Sequence, residues 1–152
     1  MPDATSSKPR LVLLCGLPGC GKSTWLARQG LTGVSSDAIR GWLADDVTDQ
    51  SVNARVFATL RFVIRQRLAM GRPVTYVDAT NLTPGERRPY LTLGAAFGCS
   101  VEAVWFDVPM AVCQERNLMR ERRVPSEVIE RMAGRFVAPT LDEGFGRITV
   151  FS

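Results

Sequence analysis

The segment Gly16-Leu17-Pro18-Gly19-Cys20-Gly21-Lys22-Ser23 constrains this chain more than any other feature of it. It satisfies G-x-x-x-x-G-K-[ST] at every fixed position, follows the apolar run Leu11–Cys15, and opens a helical stretch, Lys22–Gln29, that Gly30 ends. Glycines in such a loop let the backbone curl until successive N–H groups point inward at an anion, and the following helix aims its positive end at the same place. Gly16, Gly19, Cys20, Gly21, Lys22, Ser23 and Thr24 are therefore expected to hold the phosphates of ATP or another nucleoside triphosphate. In that arrangement Lys22 is a point charge on the β- and γ-phosphates, and the Ser23 hydroxyl is a ligand of Mg²⁺. Lys22 is one of only two lysines in a chain that otherwise uses arginine, and arginine's planar fork does not reproduce a point charge.

Composition narrows the chemistry further. The chain has 152 residues, the length of one domain, with a net charge of +4 and no histidine. That excludes histidine general bases, His-dependent nucleophilic triads, His-ligated zinc and histidine–aspartate metal phosphohydrolases. Cys15, Cys20, Cys99 and Cys113 form no C-x-x-C pair and read as small buried residues of a reducing compartment. The polar start lacks the apolar core of a signal peptide, and no apolar run is long enough to cross a membrane. The expectation is a cytoplasmic protein with no membrane partner. Oligomeric state has no signal in the sequence, a homodimer included.

Residues 1–9 read as a flexible tail and 10–152 as a single domain. From Arg10 onward short apolar runs alternate with helical stretches, the pattern of a parallel sheet covered by helices. Strands are expected at Leu11–Cys15, Gly33–Ser36, Val74–Val77, Val101–Phe106 and Ile148–Phe151. Helices are expected at Lys22–Gln29, from Asp37 as N-cap through Ala44, and at Ser51–Met70, Thr83–Phe97, Met110–Glu121 and Ser126–Val137. The fold class is three-layer α/β with about five strands. Trp25, Trp42 and Trp105 each sit among apolar neighbours at helical or strand spacing and are expected in the core.

Three further clusters carry candidate chemistry. Ser35-Ser36-Asp37-Ala38-Ile39-Arg40 follows a short strand, which places it at the carboxyl edge of the sheet with the loop. A phosphoryl acceptor hydroxyl needs a carboxylate to take its proton, and Asp37 is the candidate. Arg40, one helical turn on, is placed to hold a phosphate of the acceptor. Tyr76-Val77-Asp78-Ala79-Thr80-Asn81 ends a strand in an acid that supports Mg²⁺ behind Ser23, with Asn81 and the following Arg87 as candidate acceptor contacts. In Glu115–Pro125, Arg116 and Arg120 share a helix face and a basic turn containing Arg122 and Arg123 follows, which reads as a lid over the nucleotide.

In their order along the chain, GLPGCGKSTW, SSDAIR, DATNLTPGERR, FDVP, RNLMRER-RVP and IERM resemble the P-loop polynucleotide 5′-hydroxyl kinases, the kinase domains of phage and bacterial end-healing enzymes. The resemblance runs from Leu11 to about Phe136 and is shared in part with kinases of aminoacylated tRNA and with other small P-loop kinases. It implies transfer of the ATP γ-phosphoryl group to a 5′-hydroxyl DNA or RNA end. Asp37 would be the base, Arg40 a contact to the acceptor strand's phosphate, and Lys22, Arg116 and Arg120 the groups on the ATP phosphates. Arg123 has no firm counterpart. The phosphatase and ligase signatures of the multidomain members, D-x-D-x-[TV] and K-x-D-G, are absent from these 152 residues.

Charge is consistent with a nucleic-acid acceptor. Between Asn53 and Tyr90 stand seven arginines and two acids, a basic stretch suited to part of a phosphate-tracking groove. Two other readings stay open on the sequence. One is a P-loop kinase for a small molecule or an aminoacyl-tRNA; the other is a nucleotide-binding regulator or assembly ATPase with no acceptor.

Overall fold

The computed structural model describes residues 8–121 and 123–152. Most of the expected tail, and Arg122 of the expected lid, lie outside the described residues; Pro9 already belongs to the fold, its carbonyl accepting from Ser100 N–H at 3.0 Å.

Five strands form one parallel sheet: β1 (Arg10–Cys15), β2 (Gly33–Ser35), β3 (Val74–Asp78), β4 (Ser100–Phe106) and β5 (Arg147–Phe151), in the spatial order β2-β3-β1-β4-β5. Strand β1 lies at the centre, and its run from Leu11 to Cys15 is at most 1% exposed, as a parallel strand covered on both faces requires. Helices α2 (Ser36–Ala44), α3 (Asn53–Ala69) and α4 (Pro84–Ala96) contribute Ile39, Val56, Leu60, Ile64, Tyr90 and Leu93 to the core on one face. On the other, α1 (Lys22–Arg28), α5 (Met110–Leu118) and α6 (Ser126–Arg135) contribute Leu26, Cys113 and Ile129. The expected three-layer α/β architecture with five parallel strands is the architecture observed.

Local chemistry sets the element ends. Thr83 caps α4 by accepting from Glu86 N–H, while the Glu86 carboxylate accepts from Leu82 N–H, and Pro84 sits at the first turn where its missing N–H costs nothing. Gly94 lets α4 approach β4, since a Cβ there would fall 2.2 Å from Val101 Cγ2.

Three expectations need correction. Ser35, not Asp37, caps α2, its hydroxyl accepting from Ala38 N–H; Asp37 lies inside the first turn. Helix α5 ends at Leu118, so Arg120 is in the turn beyond it, its N–H donating to Asn117 O, and does not extend a helix face shared with Arg116. Trp42 is 75% exposed on α2, whereas Trp25 packs edge-on against Tyr76 and Phe106, and Trp105 against Phe136. The apolar neighbours of Trp42 mislead because the residues that this short helix buries are Ser36, Ile39 and Arg40, of which Ile39 alone is apolar.

Candidate active site

Strands β1, β2 and β3 deliver their carboxyl ends to one rim of the sheet, and the site is assembled there. The register pairs Ser35 with Asp78, which brings the start of α2 beside the end of β3. The loop after β3 also clamps the loop after β1. Gly16 N–H donates to Thr80 O at 2.9 Å, and Asn81, in the left-handed region at φ 47°, donates through Nδ2 to Leu14 O at 2.7 Å.

Between β1 and α1 the chain turns tightly over Cys113. Gly19 has φ +84°, and a Cβ on it would fall 2.5 Å from Cys113 O, so the backbone path admits only glycine. The N–H groups of Gly19, Gly21, Lys22, Ser23 and Thr24 find no acceptor among the described residues, whereas Cys20 N–H is used inside the turn on Leu17 O. A curl of unpaired donors is what an anion such as a triphosphate requires. The Lys22 ammonium lies over the same loop, donating to Gly16 O at 2.8 Å and Leu17 O at 3.0 Å. Arg116 joins from α5, its Nη1 donating to Cys20 O at 3.1 Å. Free backbone donors, an ammonium and a guanidinium are thus gathered on one loop.

Ser23 Oγ donates to Asp78 Oδ2 at 2.9 Å. This pair fits a Mg²⁺ bound mainly through water and phosphate, with few protein ligands. Burial pushes the Asp78 carboxyl above its ordinary range. Ser23, Lys22 and Arg120 pull it down, while the neighbouring Asp37 pushes it up. Lys22, Asp37 and Arg120 thus lie near enough to Asp78 for their charges to act on it.

Asp37 stands at the mouth of the site, its side chain 53% exposed, and Arg40 Nη1 donates to its Oδ1 at 3.0 Å. Arg40 itself is 5% exposed. Its Nη2 donates to Asn53 Oδ1, Asn53 donates to Gln50 Oε1, and its Nε has no partner among the described residues. This corrects the implied contact from Arg40 to an acceptor phosphate. The guanidinium is buried, and what it holds is Asp37.

Arg87 and Asn81 are corrected likewise as acceptor contacts. Arg87 is fully buried; it forks onto Glu143 at 2.9 and 3.1 Å and donates to Asn81 O at 2.8 Å. Burial raises the pKa of Glu143, but the Arg87 hydrogen bonds and the Thr140 N–H outweigh it and leave the carboxyl below its usual range. Together Arg87 and Asn81 brace the loop after β3 against the chain near β5. Arg123 is exposed on the segment after α5 and makes no ion pair among the described residues.

Two residues that brace the candidate site had no signal in the sequence. Asn117 closes the segment after α5 on itself, donating to Val124 O at 2.6 Å and accepting from Val124 N–H at 2.9 Å. Asn53 fixes Arg40 from the start of α3. Both act across sequence gaps in which nothing but the fold brings the partners together.

The family model for the AAA domain, AAA_33, matches residues 11–139. Among curated proteins the chain is similar to the L-seryl-tRNA(Sec) kinase of Methanococcus maripaludis, 25% identical over an alignment of 138 residues that covers 85% of this chain and 53% of that one. Among solved structures it is similar to a chain of the Pnkp1/Rnl/Hen1 RNA repair complex, with a TM-score of 0.71 at 22% identity, covering 88% of this chain and 45% of that one. It is also similar to a gluconokinase from Sinorhizobium meliloti 1021, with a TM-score of 0.59 at 20% identity, covering 95% and 82%. At these identities the structural likeness is one of fold. The chain spans about half the length of the curated relative and of the repair-complex chain. Among the described residues no helix is long and apolar enough to cross a membrane.

Proposed function

The chain belongs to the AAA_33 family of AAA domains, and from that premise we propose that it is an ATP- and Mg²⁺-dependent kinase that phosphorylates the 5′-hydroxyl end of DNA or RNA. The observation that carries this reading is the position of Asp37: an exposed carboxylate, aimed by a buried arginine, beside the Ser23–Asp78 pair and across from the phosphate loop. A regulator that only binds the nucleotide needs the loop and the metal pair alone; an oriented carboxylate serves a nucleophile, and the exposure of Asp37 leaves room there for the hydroxyl of an acceptor.

Bound Mg-ATP supplies the γ-phosphoryl group. The N–H groups of Gly19, Gly21, Lys22, Ser23 and Thr24 and the Lys22 ammonium would hold the triphosphate, Ser23 and Asp78 would hold the metal and its water, and Asp37 would accept the proton of the attacking hydroxyl. Arg116 and Arg120 bring positive charge to oxygens that gain charge during transfer, and the segment closed by Asn117 covers the nucleotide. No histidine is present to compete with Asp37 as base.

A polynucleotide acceptor is supported by the motif series, by the arginine-rich stretch between Asn53 and Tyr90, and by two relatives whose own names concern RNA. The similarity to a seryl-tRNA kinase favours a second reading, in which the hydroxyl belongs to an aminoacyl group on tRNA. Radiolabelled ATP offered with a 5′-hydroxyl oligonucleotide, the same oligonucleotide already 5′-phosphorylated, and seryl-tRNA separates them. The proposal expects label on the first alone. Label on seryl-tRNA alone establishes the second reading, and no transfer to any acceptor with Mg²⁺ present removes both.

A further inference from the structure

Helix α3 is not charge-balanced. Its 17 residues include Arg55, Arg61, Arg65 and Arg67 and no carboxylate, whereas solvated helix faces ordinarily mix signs at i, i+4 spacing. Arg67 is used internally, donating to Thr75 Oγ1 at 3.0 Å and Val74 O at 2.8 Å. Arg61 and Arg65, one turn apart, instead line an open groove against α4, completed by Arg88, Phe62 and Pro89, with a volume of about 720 Å³.

No acid lines this groove. The single carboxylate of α4, Glu86, is taken by Leu82 N–H and Arg135. Among the described residues Arg61, Arg65 and Arg88 make no ion pair. Phe62 stands between them, 61% exposed. Uncompensated guanidinium groups repel one another, and an exposed phenyl ring gains nothing from water. Both terms reverse on a ligand that carries repeated negative charges and flat apolar faces. An acidic peptide brings the charges without the faces, and a lipid surface does not follow a groove.

We infer that the α3–α4 groove is a docking surface for single-stranded nucleic acid, with phosphates on Arg61, Arg65 and Arg88 and a base stacked on Phe62. In one respect this rests on the kinase reading: the strand in the groove is the one whose 5′ end lies at Asp37. The fold joins the two places, because Asn53, which holds Arg40 and through it Asp37, is the first residue of α3. At 1.5 Å per residue Arg61 and Arg65 lie about 12 and 18 Å along the helix from Asn53. A single strand, more extended than the rise of about 3.4 Å per nucleotide of a duplex, spans that distance in a few nucleotides.

The test uses the full chain and two readouts. Fluorescence anisotropy with a labelled, 5′-phosphorylated single strand of about 12 nucleotides reads binding without catalysis. Substitution R61E/R65E/R88E is expected to raise Kd more than tenfold and to lower the slope of log Kd against log salt by about two. Phe62→Ala is expected to raise Kd about fivefold or more at unchanged salt slope. In the kinase assay the triple variant is expected to raise the KM of a 12-nucleotide acceptor to that of a trinucleotide, with kcat preserved. Circular dichroism checks that each variant is folded. An unchanged Kd and salt slope in the folded triple variant overturns the groove, as does displacement of the strand by polyglutamate at the same charge concentration. If binding is lost in the triple variant while no oligonucleotide is ever phosphorylated, the groove stands and the kinase reading fails.

Discussion

Arg40 holds Asp37 from below: the guanidinium is 5% exposed, the carboxylate 53%, and they meet at 3.0 Å. The pair is one-sided. Packing and Asn53 immobilise the donor, so the acceptor is free to face a substrate yet limited in where it can face. Oriented in this way, Asp37 depends on Arg40 for geometry more than for charge.

Arg40→Lys is therefore expected to reduce kcat about tenfold or more while leaving the KM for ATP within twofold, because an ammonium lacks the planar fork whose two separate nitrogens fix Asp37 and Asn53 in place. Asn53→Ala should give the same pattern more weakly. Steady-state kinetics with the acceptor varied checks this. A rise in acceptor KM at constant kcat would instead make Arg40 a direct acceptor contact.

Asp78 sits in a setting that disfavours its charge. Burial pushes its pKa above the usual 3.8, so the folded state binds this proton more tightly than the unfolded one. Stability then falls as pH rises through the range between the two values, and at neutral pH the carboxylate is a destabilising group. Asp78→Asn, which can still accept from Ser23, is expected to keep or raise Tm at pH 7 while lowering phosphoryl transfer by about 10²-fold or more. Thermal unfolding and label transfer on the same preparation decide it. A clear drop in Tm would mean that Asp78 is there for stability.

The Arg87–Glu143 pair behaves oppositely. Glu143 is held below its ordinary 4.5, so its contribution is fully present above that value and is lost as pH falls through the folded-state pKa. Tm measured from pH 7 down to 3 should fall more steeply for the natural protein than for Glu143→Gln. Arg87→Ala is expected to cost about 3–5 kcal/mol, because it leaves Glu143 without its buried partner.

How far the sequence revealed all this depends on the range of the interaction. The phosphate loop is contiguous, and its backbone course follows from its own glycines, so Gly19 and Lys22 were readable directly. Asp78 was readable because a strand end in this topology has a known neighbour. Arg40, Arg87 and Asn81 read as acceptor contacts in the sequence, whereas in the fold all three are buried on partners of the chain itself. A buried arginine and an exposed one look alike in a sequence, and only Glu143, 56 residues from Arg87, distinguishes them. Trp42 failed in the opposite direction, since apolar neighbours on a short helix do not show which face is covered. Asn53 and Asn117 had no local signature because their partners are set by packing alone.

The account depends most on Asp37 taking the acceptor's proton. Single-turnover transfer of the labelled γ-phosphoryl group to a 5′-hydroxyl oligonucleotide, compared between the natural protein, Asp37→Asn and Asp37→Ala, tests this without interference from product release. The account predicts that both substitutions slow transfer by about 10²–10⁴-fold while ATP binding stays near that of the natural protein; Asp37→Asn keeps an acceptor for the buried Arg40, and Asp37→Ala, which leaves it without one, lowers Tm but still folds. Transfer at the natural rate by folded Asp37→Ala would contradict it.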